Sequence, residues 1–456
     1  VTNDERDAEF EAFMLGGWER LTRPVLRSPL APPATCDRRR ASLSAAFPGQ
    51  TVVVPSGRAK NRANDIEHPF RSASDFVWLS GWDEPGAVLL MAPTSDGHST
   101  TLFLPPRFDR STTAFYANRQ GEAWVGQQPR LEEVGSTLAV FVRPTDALPE
   151  ALSKAKSVKV RRGIDPALDA MVDEPDDDVA RAVAMLRLRK DRGEVAALRS
   201  AISTTVRGFE DVVRELPPVG GVTERWLEAA FVRRARCDAN DTAYPVIAAG
   251  GAHACVLHWA ASHSVVRGDD LLLLDAGAES RLLYAADVTR TLPVSGRFSP
   301  VQREVYDVVC AAHDAAVAEC RPGNDFLAPH RAATAVTRGW LEQSGLIERR
   351  DGGDDGRHVR FTVHRTSHML GLDVHDCSAV ADTYVSGKLE PGMVLTVEPG
   401  CYIQRDDLTA PEPYRGIGVR IEDDVLITES GCEVLSAELP TKAAAVEDWM
   451  AALRTG

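Results

Sequence analysis

The stretch LLLLDAGAESRLLYAADVTRTLPV, residues 271–294, decides how this chain is read. Four leucines in succession read as a strand buried on both faces, and such a strand has no reason of its own to end in a carboxylate. Asp275 nevertheless closes it, and Asp287 sits inside the next apolar run, twelve positions on. A hairpin turning near Arg281 would set the two aspartates opposite each other on one face.

The anomaly recurs downstream. GMVLTVEPGCYI (392–403) alternates so that Val394, Thr396 and Glu398 share a face, and GVRIEDDVLIT (418–428) so that Arg420 and Glu422 do, opposite Val419 and Ile421. Ahead of both, HRTSHMLGLDVHD (364–376) holds His364, His368 and His375. Taken singly, each is an ordinary turn cap or core histidine. Carboxylates gathered in one core, however, repel each other and take up protons unless cations neutralise them. Two divalent ions balance four carboxylates and leave a bridging hydroxide to carry residual charge, which is the electrostatic logic of a two-metal hydrolase. Oxygen-rich ligation with one imidazole favours Mn²⁺, Co²⁺ or Fe²⁺ over a thiolate-type structural zinc. The spacing of His364 and His368 does not make a zincin, because Arg365 stands where HExxH needs its glutamate.

Around this centre the chain divides by texture. Runs at 51–57, 87–93, 101–106, 138–144 and 158–165 are short apolar strands among helical stretches, a mixed α/β domain over residues 1–172. The acidic segment DEPDDD (173–178) and the helix-forming VARAVAMLRLRKDRGEVAALRSAI after it open a second domain, 173–456. That domain reads as α+β with an antiparallel sheet, helices near 299–320 and 328–346, and a terminal helix beyond Pro440. The whole chain's net charge of −14 comes with no five-residue run of Lys and Arg, which argues against nucleic acid as a partner. No apolar run reaches the ~18 residues of a membrane span, and the N-terminus lacks a signal-type apolar core. The eight cysteines are scattered without a CxxC pair, as suits reduced, buried thiols in the cytoplasm.

With these residues in view, the chain resembles the aminopeptidase P and prolidase group of the pita-bread metallopeptidases. The likeness is carried by LHWAAS (257–262), residues 271–309, TSHMLGLDVHD (366–376), LEPGMVLTVEPGCYI (389–403), YRGIGVRIEDDVLITESGCEVLS (414–436) and, near the N-terminus, NDIEHPFRSASDFVWLSGWDEPGAVLL (64–90). The resemblance implies a pita-bread catalytic domain behind a smaller α/β domain that closes the cleft and makes contacts in a homo-oligomer, a dimer or tetramer. It implies Asp275, Asp287, His368, Glu398 and Glu422 as ligands of two metal ions, most simply manganese with cobalt, iron or zinc as alternatives, and Asp287 and Glu422 as the bridging pair. A metal-bridging hydroxide would attack the scissile carbonyl, with Glu398 as general base. His258, His364 and His375 would line the substrate site, and Arg420 would orient a ligand carboxylate. The implied substrates are peptides with proline second, cut before the proline. That tertiary amide has no N–H for a conventional protease to bind. Trp259 and Tyr402 would flank the site where they can pack on the proline ring, with a plain core role equally open for Trp259, and Asp65 would reach the substrate amine. The rival readings are an Xaa-Pro dipeptidase with the same core and a catalytically silent binding module of this fold. The chain departs from the group in a one-residue-longer Asp275 to Asp287 spacing, in Arg365 where glycine is usual, and in the lack of an arginine within 377–387.

Overall fold

A computed structural model describes residues 3–19, 27–171, 178–349 and 355–455. By contacts the chain forms two units, Val1–Leu186 and Arg187–Gly456. The boundary expected at 172/173 lies outside the described residues. The helix-forming stretch that follows is two helices, Asp178–Arg187 and α1 (Arg192–Glu215). They separate because Asp191 caps α1: its side chain accepts the Gly193 and Glu194 N–H groups at 2.8 and 3.0 Å, and Glu194 returns a bond to the Asp191 N–H at 2.9 Å.

In the first unit, the apolar runs form β1 (Thr51–Pro55), β2 (Val88–Thr94), β3 (Gly97–Leu104), β4 (Phe141–Pro144) and β5 (Val158–Val160), in the order β4-β3-β2-β1-β5. The central pairs are antiparallel and the outer two parallel. Val53, Val88, Leu90 and Phe103 pack on Leu148, Val160 and Leu168 to make its core. The run expected as a strand from 138 pairs only from Phe141. Leu138 ends a helix, Leu131–Leu138, and Ala139 turns the chain with a φ of +53°.

The second unit places β6 (Ile247–Gly250), β7 (Leu271–Ala276) and β8 (Val288–Pro293) in one antiparallel sheet with β7 central. This position explains the unbroken apolar run, since all of Leu271–Ala276 is buried. The hairpin differs from expectation by one position: Asp275 pairs with Thr289, so the ladder folds about residue 282, not Arg281. Leu283 takes a φ of +66° in the turn and adds the extra step. Asp287 therefore lies two residues from the position facing Asp275, on the same side.

The two downstream runs each break where a carboxylate sits. β9 (Val394–Val397) and β10 (Gly400–Ile403) are separated by Glu398 and Pro399, and β11 (Ile417–Arg420) and β12 (Asp423–Ile427) by Ile421 and Glu422. β9 pairs with β12, which also carries β13 (Cys432–Val434), whereas β10 pairs with β11. Helices α2 (Glu224–Asp238), α3 (Pro300–Glu319), α4 (Ala328–Gln343) and α5 (Ala443–Thr455) are the longer helices of the rest of the unit. Both sheet-bearing units match the expected α/β and α+β classes. Among the described residues no helix is long and apolar enough to cross a membrane. All eight cysteines are free thiols, and six are buried. Cys237 is exposed at the solvent side of the last turn of α2, and Cys432 is half-buried, so burial is not the rule for every thiol.

Candidate metal centre

Four chain segments meet at the centre. The β7–β8 hairpin brings Asp275 and Asp287. The break after β9 brings Glu398, and the break after β11 brings Glu422, which bridges to Thr289 of β8. His368 arrives on a segment that runs beside β9: its N–H donates to Thr396 Oγ1 at 3.1 Å, the Thr396 N–H donates to the His368 carbonyl at 3.0 Å, and the Glu398 N–H to the Thr366 carbonyl at 2.8 Å.

Asp287, His368 and Glu422 each offer a donor atom within 4.8 Å of the other two. His368 Nε2 lies 3.4 Å from Asp287 Oδ2 and 3.6 Å from Glu398 Oε1, which brings in the fourth residue. Asp275 joins through Tyr244, whose hydroxyl is 2.6 Å from an oxygen of each aspartate. All five expected ligands thus surround one small volume. Its electrostatics call for positive charge. Burial together with Asp287, Glu398 and Asp275 pushes Glu422 far above the usual carboxylate range. Burial raises Glu398 to about 7, despite His368 and Arg420, and it also raises Asp275 against the pull of Arg420. Burial works to lower His368, yet the bond to Asp287 and the charge of Glu398 hold it at about 9. One hydroxyl proton on Tyr244 cannot serve two carboxylates at once, so a further cation or proton must. The Nδ1–H of His368 donates to the Met369 carbonyl at 3.1 Å, leaving Nε2 directed at the carboxylates as a ligand nitrogen. Hard oxygen donors plus one such imidazole fit divalent metal ions.

Arg420 is buried behind the centre. It pairs with Asp275 Oδ2 and donates to Thr289 Oγ1 at 3.1 Å and to Tyr402 Oη at 2.9 Å. Thr289 Oγ1 in turn donates to Glu422 Oε2 at 2.7 Å, so one guanidinium steadies a carboxylate directly and another through a hydroxyl. Because Tyr402 Oη accepts from Arg420, its own proton goes to His364 Nε2 at 2.7 Å, and the Nδ1–H of His364 faces the Arg365 carbonyl at 2.8 Å. Burial and the Arg420 charge depress His364 to about 4, so this ring is neutral at pH 7. Its Nδ1 also lies 3.4 Å from Glu398 Oε2. The exposed His375 sets its ring against that of His368, centroids 4.5 Å apart, and is lowered by partial burial and the His368 charge. His258, also exposed, is near enough for its charge to act on both His364 and His375.

The expectation for Tyr402 does not hold, and Trp259 takes the packing role left open for it. Tyr402 is fully buried with its hydroxyl engaged, so it supports His364 and presents no face for a proline ring. Trp259 stacks on His253 at 3.9 Å and donates its indole N–H to Glu224 at 2.9 Å, a packing role in the loop. Asp65, in the first unit, is exposed and 3.3 Å from Arg119. Tyr244 was not anticipated, since DTAYPVIAAG (241–250) shows no pattern that marks it. Asp424 was visible as one more carboxylate in an apolar strand. It is buried, accepts the Asp287 N–H at 3.2 Å, and is driven well up by burial and by Asp287.

A four-carboxylate, one-imidazole centre set in paired antiparallel sheets defines a metal-dependent hydrolase. The profile for Metallopeptidase family M24 matches residues 196–429, and that for the Aminopeptidase P, N-terminal domain matches residues 36–161. The chain belongs to metallopeptidase family M24 and has its pita-bread fold. It is 46% identical to Xaa-Pro aminopeptidase 1 of Streptomyces coelicolor, over 98% of this chain and 92% of the relative. Its structure is similar to that of Pseudomonas aeruginosa aminopeptidase PepP, with a TM-score of 0.84 and 32% identity over 93% of this chain and 99% of the other. Escherichia coli aminopeptidase P with the inhibitor Pro-Leu gives a TM-score of 0.83 at 31% identity, over 93% and 99%.

Proposed function

We propose that this protein is an aminopeptidase that removes the first residue from peptides carrying proline second, using two divalent metal ions. The observation that carries the reading is the convergence of Asp287, His368 and Glu422 donor atoms within 4.8 Å, beside Asp275 and Glu398. The names of the near full-length relatives support the choice of substrate. Asp275, Asp287, His368, Glu398 and Glu422 would hold the ions, Asp287 and Glu422 with the most central donors. Bound there, divalent ions supply Lewis acidity toward the scissile carbonyl and an activated water.

The protein's own groups do the rest. Glu398 would take the proton of the attacking water and pass it to the proline nitrogen, which must gain a proton to depart as an amine. His375 donates to the carbonyl oxygen as charge develops on it. His258 and His364 line the substrate side, His364 as a neutral ring whose orientation Tyr402 fixes. Arg420 holds Asp275 in place and opposes the rise that burial causes. Manganese is the metal of this reading, on the hardness of the donors. The cytoplasm as its location rests on eight free thiols, and a dimer or tetramer rests on the family resemblance.

The test is hydrolysis by the Mn²⁺-loaded protein of Ala-Pro-Ala and Ala-Pro side by side, with Ala-Ala-Ala and an EDTA-treated sample as controls. Cleavage of Ala-Pro-Ala before proline, with Ala-Pro slow and the chelated sample silent, is the expected result. Preference for Ala-Pro would make the protein a dipeptidase, and silence on both would leave a binding module.

A further inference from the structure

Glu224 is the first residue of α2 and is 1% exposed, an unusual place for a carboxylate unless something is built around it. Five donors converge on it. Oε1 accepts from the Gly250 N–H at 3.0 Å and His253 Nδ1 at 2.6 Å. Oε2 accepts from the Trp259 indole N–H at 2.9 Å, the Ser262 N–H at 3.1 Å and the Ser262 hydroxyl at 2.7 Å. All five belong to the segment from the end of β6 to residue 262. Two grip the chain before His258 and three after it, while His258 itself is exposed at the crest. Stacking of Trp259 on His253 joins the two sides. The start of α2 adds backbone clamps, since the Arg225 and Glu224 N–H groups donate to the Ser262 and Ser264 carbonyls at 2.9 and 3.1 Å. Burial alone would raise the Glu224 carboxyl, yet the bonds from His253, Ser262, Gly250 and Trp259 hold it below its ordinary value.

We propose that Glu224 is a positioning residue for peptide cleavage: its buried carboxylate holds the 250–262 segment in the one shape that presents His258 to the substrate. The proposal rests on the reading that His258 lines the substrate site. No other segment carries His258, and the five bonds end on a single anion. An amide at this position keeps the shape but replaces one acceptor by a donor facing donors, so Glu224→Gln is the sharpest variant.

The experiment compares wild type, Glu224→Gln, His258→Ala and the double variant on Ala-Pro-Ala, with bound manganese and melting temperature measured for each. The expected result is a loss in kcat/KM of about tenfold or more for Glu224→Gln, split between kcat and KM as in His258→Ala, with the metal content of wild type. The double variant should be no worse than the poorer single one, because both remove the same contribution. Glu224→Asp should recover part of the loss. Independent losses that multiply in the double variant, or wild-type kinetics for Glu224→Gln, would overturn the proposal. Ser262→Ala and Trp259→Phe each remove one donor and serve if Glu224→Gln does not fold. Smaller losses with the same split support the proposal, and unchanged kinetics in both overturn it. A neutral His258→Ala would also overturn it, whereas continued wild-type cleavage before proline would leave the proposed activity standing.

Discussion

Tyr244 stands 2.6 Å from both Asp275 and Asp287, and its single proton makes it a spacer that sets how far apart the two aspartates sit. Tyr244→Phe keeps the ring and loses that link, so kcat on Ala-Pro-Ala should fall about ten- to a hundredfold and metal should be retained less well on dialysis. Kinetics and metal analysis read both, and an unchanged variant would show the hydroxyl to be idle. Asp287→Ala and Glu422→Ala remove two of the three donors that lie within 4.8 Å of one another. Each should cut turnover to a few percent or less and lower the bound metal, whereas substantial residual activity would refute their place as shared ligands. At this scale the sequence showed the carboxylates because they break an apolar pattern, as in LLLLDAG and VLTVEPG. It could not show Tyr244 or the five-donor ring around Glu224, because a tyrosine in a mixed run and a glutamate at a helix start are ordinary locally. Their meaning comes only from partners tens of residues away.

Elements turn those residues into a centre through a few close approaches. Gly277 sits where the chain leaves β7, and a Cβ there would lie 1.7 Å from the Ala286 carbonyl oxygen. Gly277→Ala should therefore force the hairpin open, cost ~1–3 kcal/mol, and lose metal with activity, as thermal melts and metal analysis would register. The loop bearing His375 is tied down by Asp376, which accepts from Lys190 Nζ at 3.0 Å and pairs with Arg187, all three being buried. Burial alone would raise Asp376, but Arg187 and Lys190 bring it down to about 2 from an ordinary 3.8. A carboxyl depressed on folding stabilises the protein fully above its unfolded pKa, and that contribution is lost as pH falls through about 2. Asp376→Asn strands the buried Lys190 charge and should cost ~3 kcal/mol or more at pH 7, by urea denaturation. The deficit should narrow between pH 4 and pH 2, and a constant gap would show that the ion pairs are not its source. Strand existence was legible from alternation and apolar runs, but the breaks at Glu398 and Glu422 were not. Nor was the hairpin register, since the positive φ that shifts it falls on Leu283, a residue with no turn signature.

For the molecule as a whole, the α/β unit and the α+β unit were legible from texture, because short apolar strands and long Ala- and Leu-rich helices differ in period. The division between them was less so, since the capping box at Asp191 splits a stretch whose composition is helix-forming throughout. The centre also couples the stability of the second unit to metal. Its carboxylates are raised on folding, Glu398 to about 7 from an ordinary 4.5 and Glu422 further, with burial as the first cause in each. A carboxyl whose folded pKa lies above its unfolded one favours the fold while protonated, and that advantage disappears as pH rises from about 4.5 through about 7. Protein stripped with EDTA should therefore melt at falling temperature as the pH is raised from 5 to 8. Metal ions take over the neutralising role and bind the folded form, adding RT ln(1 + [L]/Kd), so manganese-loaded protein should melt higher and lose this slope. Scanning calorimetry of the two forms across that range decides it. If chelated and loaded protein showed parallel pH profiles, the gathered carboxylates would not be the charge that the metal answers.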